Sequence, residues 1–325
     1  MSTSAWKRRG VRRVWVALAI LGAFAAASCG KKEPEPNPAL NYEKPPEFDR
    51  ELNQTEIDSM RAMKVTHRVT RDQYWDGRGG VIANDRIEVW YSNRKIFVIQ
   101  AMAVLKQMDQ VAVHIQKWFG RLPEGRVVVV TAPELESFRK ATGLDWWHYA
   151  SIKADTISMQ TPMTLFMRGL LQVAARKEYS RWALEHFTNG KAPHWVVQGM
   201  AGRLGGERDV YRGQRKEYGT KPIRMDIKDI EKNLAEQKDR LETRRAMYNA
   251  FLMVDQLVQT HGMPQVAAFI LALGEEASPD AAAQRAFSKS YDEVLAEAQA
   301  WTEPVEAPAD SAAPAPAGHD HPGEK

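Results

Sequence analysis

The sequence predicts an α+β fold: a small mixed sheet packed on helices, followed by a helical C-terminal lobe. Three observations predict it. Arg86-Ile87-Glu88-Val89-Trp90-Tyr91 alternates, and Arg126 to Thr131, RVVVVT, is a continuous β-branched run of the kind buried inside a sheet. A long amphipathic segment lies between these strands, and two apolar helical segments follow in Thr164 to Gly206. Beyond about Lys221 the periodic segments are helical.

In chain order, Glu56 to Met63 reads as a short helix and Arg86 to Tyr91 as a strand. Ile96 to Phe119 reads as a helix with Ile99, Met102, Leu105, Met108, Val111 and Ile115 on one stripe. RVVVVT is the next strand, Pro133 to Thr142 a short helix, and Ile157-Ser158-Met159 a further strand. A helix from about Pro162 to about Lys177 turns Leu165, Phe166, Gly169, Leu170, Val173 and Ala174 to the core. The next helix opens at Pro193, a favoured first-turn residue because its missing N–H would be unpaired there anyway. It ends near Gly205 and Gly206, and a polar stretch to about Lys221 reads as loop. Asp226 to Gln237 is a charged helix. Leu241 to His261 is a helix with Met247, Ala250, Phe251, Val254 and Leu257 on one side, capped by Gly262. Met263 to Gly274, Pro279 to Phe287 and Tyr291 to Trp301 complete the set.

The first 28 residues read as a targeting segment. Lys7, Arg8, Arg9, Arg12 and Arg13 precede an apolar run, Val14 to Ala27, shorter than the ~20 residues of a membrane-spanning helix. The run ends Ala26-Ala27-Ser28-Cys29, and Cys29 is the only cysteine. This resembles a bacterial lipoprotein signal, cleaved before Cys29 and acylated on its thiol. An ordinary secretory signal or a membrane anchor is the alternative. By resemblance to the enterobacterial sorting rule, Gly30 after the cysteine favours the outer membrane. Removing the five basic leader residues leaves 40 basic against 41 acidic residues, a net of −1, so no attraction to nucleic acid is expected. Residues 29–50 read as a Pro-rich tether and 303–325 as a Pro/Ala tail carrying His319-Asp320-His321. The sheet-and-helix part spans 51–206 and the helical lobe 207–302.

The two helices within Thr164 to Gly206 carry the functional signal. Trp195-Val196-Val197-Gln198-Gly199-Met200-Ala201 resembles the W-L-x-E-G-L-A phrase of the peptidase MA-like (gluzincin) metallopeptidases. In that family the Glu of this phrase is the third zinc ligand, and the preceding helix carries H-E-x-x-H. Here Gln198 replaces the Glu, and the best register places Met167, Arg168 and Leu171 at the His, Glu and His positions. A catalytic zinc needs three protein ligands and an open position. A thioether, a hydrocarbon, a cation and an amide do not supply them, so neither a metal nor another cofactor is expected. The resemblance then implies an envelope lipoprotein that kept the cleft and lost the chemistry, binding a peptide or protein or serving as a scaffold at the membrane. Its expected partners are a membrane through lipidated Cys29 and a peptide or envelope protein bound by Arg168, Trp195, Gln198, Trp146 and Trp147. The rival reading is an active metallopeptidase with other ligands, such as His186 and His194.

Two further clusters stay open. Glu185-His186 with His194 reads as surface or as a ligand set. Asp145-Trp146-Trp147-His148-Tyr149 reads either as an aromatic binding rim or as a plug between sheet and helices. The chain has no P-loop, no dinucleotide-binding glycine fingerprint and no G-x-S-x-G, which removes the usual nucleotide and serine-hydrolase readings.

Overall fold

β-branched residues crowd the pleat of a strand favourably, and the VVVVT run takes the central place in the sheet. The structure, a computed structural model, describes residues 66–70, 79–92, 95–211 and 224–301, with backbone alone for 66–70 and 95–99. All of them fall in one compact unit spanning 44–325. The leader, Cys29, the tether, the Glu56–Met63 helix and the 303–325 tail lie outside the described residues.

The sheet has six strands in the order β1-β2-β3-β4-β6-β5. They are β1 (Thr66–Thr70), β2 (Gly79–Ala83), β3 (Ile87–Ser92), β4 (Val127–Thr131), β5 (Ala150–Lys153) and β6 (Thr156–Met159). β4 runs parallel to β3 and β6 on its two sides. The outer pairs β1–β2, β2–β3 and β5–β6 are antiparallel. The sheet is therefore mixed, and β5 forms one edge.

Helix α1 (Lys95–Phe119) lies on β2 and β3 and buries Val104, Leu105, Met108, Val111 and Ile115. Met102, assigned to the same stripe from sequence, is instead 53% exposed. α1 also carries a buried Asp109. It accepts a hydrogen bond from Asn84 Nδ2 at 3.2 Å, while Asn84 Oδ1 accepts from the backbone N–H of Arg86 and of Ile87. One polar side chain thus ties the β2–β3 turn to the helix. A short α2 (Leu135–Thr142) follows β4.

The single helix expected from Pro162 to Lys177 is two helices, α3 (Pro162–Met167) and α4 (Leu171–Thr188). Gly169, at φ +66°, breaks it. Its N–H donates to Phe166 O at 2.9 Å, and Leu170 N–H donates to Leu165 O at 2.8 Å. This is the paired closure of a Schellman motif, in which a left-handed glycine satisfies the last carbonyls of a helix. Leu165 and Leu170 are both buried, as the motif's apolar contact requires, but Phe166 is exposed.

α5 (His194–Gly205) packs between α4 and α7 (Arg240–His261). Gly199 allows the close approach: a Cβ there would sit 2.2 Å from the Ala250 carbonyl oxygen. The remaining helices are α6 (Ile227–Glu236), α8 (Met263–Glu275), α9 (Pro279–Phe287) and α10 (Tyr291–Gln299). Side-chain caps start three of them: Asp226 on α6, Ser278 on α9 and Ser290 on α10. Among the described residues no helix is long and apolar enough to cross a membrane.

Candidate functional site

Lys177 and Arg181 are four residues apart on α4 and so share one face of that helix. Both border an inner cavity of about 40 Å³, closed on the far side by Gln198 of α5 and Arg244 of α7. Trp147, His148 and Tyr149, which lead into the edge strand β5, form another wall. The cavity has room for about three or four waters, at roughly 10–15 Å³ each.

Its polar walls are largely tied together. Lys177 Nζ meets Glu207 Oε2 at 2.7 Å, with the two side chains only 3% and 2% exposed. Glu207 is held just past the end of α5, where its N–H donates to Gly202 O. Tyr211 donates its hydroxyl proton to the same Oε2 at 2.6 Å. Burial raises the Tyr211 pKa well above the ordinary phenol value, and the charge of Glu207 adds to the effect. One turn further along the same face, Arg181 donates from Nε at 2.9 Å and lies at 2.7 Å through Nη2 to Glu178 Oε2. Two buried ion pairs thus flank the cavity.

Other groups on its wall lack partners. Gln198 is 6% exposed, and its Oε1 has no hydrogen-bond partner. His148 is 8% exposed, with Nδ1 at 3.3 Å from Asp145 O and Nε2 unpartnered. Burial lowers the His148 pKa below the ordinary imidazole range, which favours the neutral ring. With Nδ1–H donating to Asp145, Nε2 is left as an acceptor. Gln160 Nε2 fixes this segment by donating to Trp146 O at 2.6 Å and His148 O at 3.2 Å.

Arg181, Gln198 and Gln237 also border a wide outer cleft of about 570 Å³. Those three side chains therefore stand between cavity and cleft. Glu185, His186 and His194, the residues weighed as surface or ligands, line the cleft as well. Both His186 ring nitrogens are occupied, Nδ1 at 2.9 Å from Trp182 O and Nε2 at 2.8 Å from Asp155 Oδ1. Ligation of a metal through either nitrogen would have to displace the contact it makes now. No group of three or more His, Cys, Asp or Glu residues placed to hold a metal ion occurs among the described residues.

The residues expected beside Gln198 lie elsewhere. Met167 ends α3 and is 77% exposed. Arg168 follows it outside any helix, and Leu171 begins α4 as a buried apolar residue. The break at Gly169 removes the i, i+4 relation of Met167 and Leu171, so these positions form no shared helix face. Arg168 instead sits 5.4 Å over the Trp146 ring and donates to Trp146 O at 3.3 Å. Arg240 lies 4.6 Å from the same ring, and Trp146 is 42% exposed. Two of the expected binding residues, Arg168 and Trp146, are thus together at the surface, while Trp147 and Gln198 reach the cavity. Trp195 borders neither the cavity nor the cleft. It is fully buried and donates its indole N–H to Tyr291 Oη at 3.0 Å.

Lys177, Glu178, Arg181, Glu207 and Arg244 were not singled out from sequence. The available signal was Lys-Glu-x-x-Arg itself, two cations at i and i+4 flanking a carboxylate in the helix before the Gln198 phrase. No protein-family model and no curated protein matches the chain.

Proposed function

We propose that this is a degenerate gluzincin-like domain that binds an extended peptide and does not hydrolyse it. The resemblance read from Trp195 to Ala201 is kept, but its register on the preceding helix moves. Lys177-Glu178-Tyr179-Ser180-Arg181 takes the place of H-E-x-x-H, and Gln198 that of the third ligand. What carries the reading is the content of those positions. Lys and Arg have no lone pair to give a metal, and the one carboxylate, Glu178, is engaged by Arg181. Zinc does not fit this donor set, and no hydrolytic step is derived through it.

The edge strand supplies a binding mode. Gln160 N–H donates to Tyr149 O at 2.8 Å, which continues the β5–β6 register as a hydrogen-bonded pair. Antiparallel pairing alternates, so Ala150 and Ile152 direct their N–H and C=O groups to the outer edge. Among the described residues no strand pairs there. A peptide adding as a further strand would gain main-chain hydrogen bonds and lie beside the inner cavity. In this reading the domain is held to a bacterial envelope membrane, in the first instance the outer one, by acylated Cys29.

A tryptic digest of casein tests it. The purified chain is expected to retain a subset of peptides uncleaved, with or without a chelator. Ile152→Pro removes one outward N–H and spares the inner ladder, and should abolish retention. Chelator-sensitive cleavage, or undiminished retention by a folded Ile152→Pro variant, overturns the proposal.

A further inference from the structure

Among the described residues, Arg244 is the cation on the cavity wall that no carboxylate pairs with. It is 8% exposed. Lys177 is paired with Glu207 and Arg181 with Glu178. Among the described residues no carboxylate lies within ion-pair distance of Arg244, and it borders the same cavity. Taking a guanidinium out of water without an anion is unfavourable. The surrounding wall therefore carries three positive charges against two negative ones, with a neutral His148.

We infer that the inner cavity is a receptor for a carboxylate that carries a neighbouring N–H, with Arg244 as the group that binds the anion. The inference deepens the peptide-binding reading and rests on it for the way the ligand enters. Arg offers paired N–H donors in a planar fork that matches a carboxylate. The other unpartnered atoms on the wall, Gln198 Oε1 and His148 Nε2, are acceptors, and a carboxylate alone would leave both unpaired. An amide N–H next to the carboxylate supplies the missing donor to one of them. The size agrees: room for about three or four waters is room for a carboxylate and its adjoining amide N–H and little more. Entry from the outer cleft passes Arg181, Gln198 and Gln237, which border both spaces.

A peptide C-terminus and an acidic side chain both present this chemistry, and probe peptides separate them. The full chain is titrated by calorimetry at pH 7 with acetyl-Ala-Ala-Ala, its C-terminal amide, acetyl-Ala-Asp-Ala-amide and N-acetylalanine. The last is too short to pair along β5 and reports on the cavity alone. We expect the free acid to bind at least ten-fold more tightly than its amide. Arg244→Met should abolish that preference, and Arg244→Lys should keep part of it. Binding of the Asp peptide as tightly as the free acid assigns the site to acidic side chains; weaker binding assigns it to the chain terminus. Equal binding of acid and amide, a preference that survives Arg244→Met, or no binding of any carboxylate probe overturns the inference. N-acetylalanine binding that depends on Arg244, together with failure of the Ile152→Pro test, would leave the carboxylate site standing and sink only the edge-strand reading.

Discussion

Replacing one partner of the Lys177–Glu207 pair should be among the costliest changes in this domain. Both side chains are almost wholly out of water, at 3% and 2% exposure. Lys177→Met leaves the Glu207 carboxylate with only the Tyr211 hydroxyl and its own neighbours. Removing one member of such a pair typically costs ~3–5 kcal/mol, because the remaining charge stays buried and uncompensated. In a domain of this size each kcal/mol lowers the midpoint by roughly 2–4 °C, so a drop of about 10 °C is expected. Glu207→Gln keeps a carbonyl for Lys177 and Tyr211 to reach, and should fall at the lower end of the range. The double variant Lys177→Met/Glu207→Gln removes both charges and should lie within ~1–2 kcal/mol of the parent. The resulting coupling is non-additive and is read from urea unfolding followed by far-ultraviolet circular dichroism. A single Lys177→Met change costing less than ~1 kcal/mol, or additive effects, would mean that the pair is solvated and the inner cavity is not sealed.

Two further outcomes follow from the same reasoning. Burial pushes the Asp109 carboxyl up from 3.8 to about 6, against the opposing pull of Arg86 and Asn84. The folded state therefore holds this proton more tightly than the unfolded chain. Stability should fall as pH rises from about 4 to about 6, by at most ~3 kcal/mol. Asp109→Asn keeps an acceptor for Asn84, so it should be more stable than the parent at pH 7.5 and lose that advantage below pH 4. An unchanged pH slope in unfolding experiments would refute this. Separately, Lys177→His, Arg181→His and Gln198→Glu together restore a three-ligand set around the existing Glu178. Elemental analysis should then find about one zinc per chain after dialysis against micromolar zinc, and none in the parent. A folded triple variant with no zinc would reject the register assigned to α4.

Much of the fold was legible because its signals are local. VVVVT, the α1 stripe and the Pro279–Phe287 helix with its Ser278 cap are each specified by neighbours in sequence. β2 was missed because Gly79-Gly80 reads as a turn. In the sheet Gly80 makes room for the Tyr91 ring, whose hydroxyl lies 2.1 Å from where a Cβ would be. β5 was missed because it is four residues long and follows the polar and aromatic segment that read as loop. The candidate site was misplaced for one reason. Apolar period continues through Leu165, Gly169, Leu170 and Val173, and it cannot distinguish a helix that runs on from one that ends in a left-handed glycine. Once Gly169 is placed at φ +66°, the helix facing Gln198 starts at Leu171 and its charged residues become the candidates. Glu207 and Arg244 were invisible for a different reason. Their positions on the cavity wall depend on how α5 and α7 pack, which no local pattern encodes.

The charges around this cavity are difficult to justify by stability alone. Apolar residues of similar volume usually serve a folded state as well as buried ion pairs do, or better. A domain selected only to stay folded would have little use for four paired charges and a guanidinium with no carboxylate partner among the described residues within one small space. The pairs do something a hydrocarbon lining cannot: they hold fixed positive groups at the bottom of a cleft while cancelling most of the net charge. Lys177 and Arg181 are already committed to Glu207 and Glu178, so neither can be drawn far toward a ligand without exposing a buried carboxylate. Arg244 has no such commitment among the described residues, and only it can turn to an incoming anion without breaking an existing pair. The two ion pairs thus make the cavity selective for a single negative charge, and a second carboxylate would have to displace Glu207 or Glu178 to be neutralised. This is the physical reason to expect one carboxylate per chain in the titrations, with Arg244 and not Lys177 deciding the affinity.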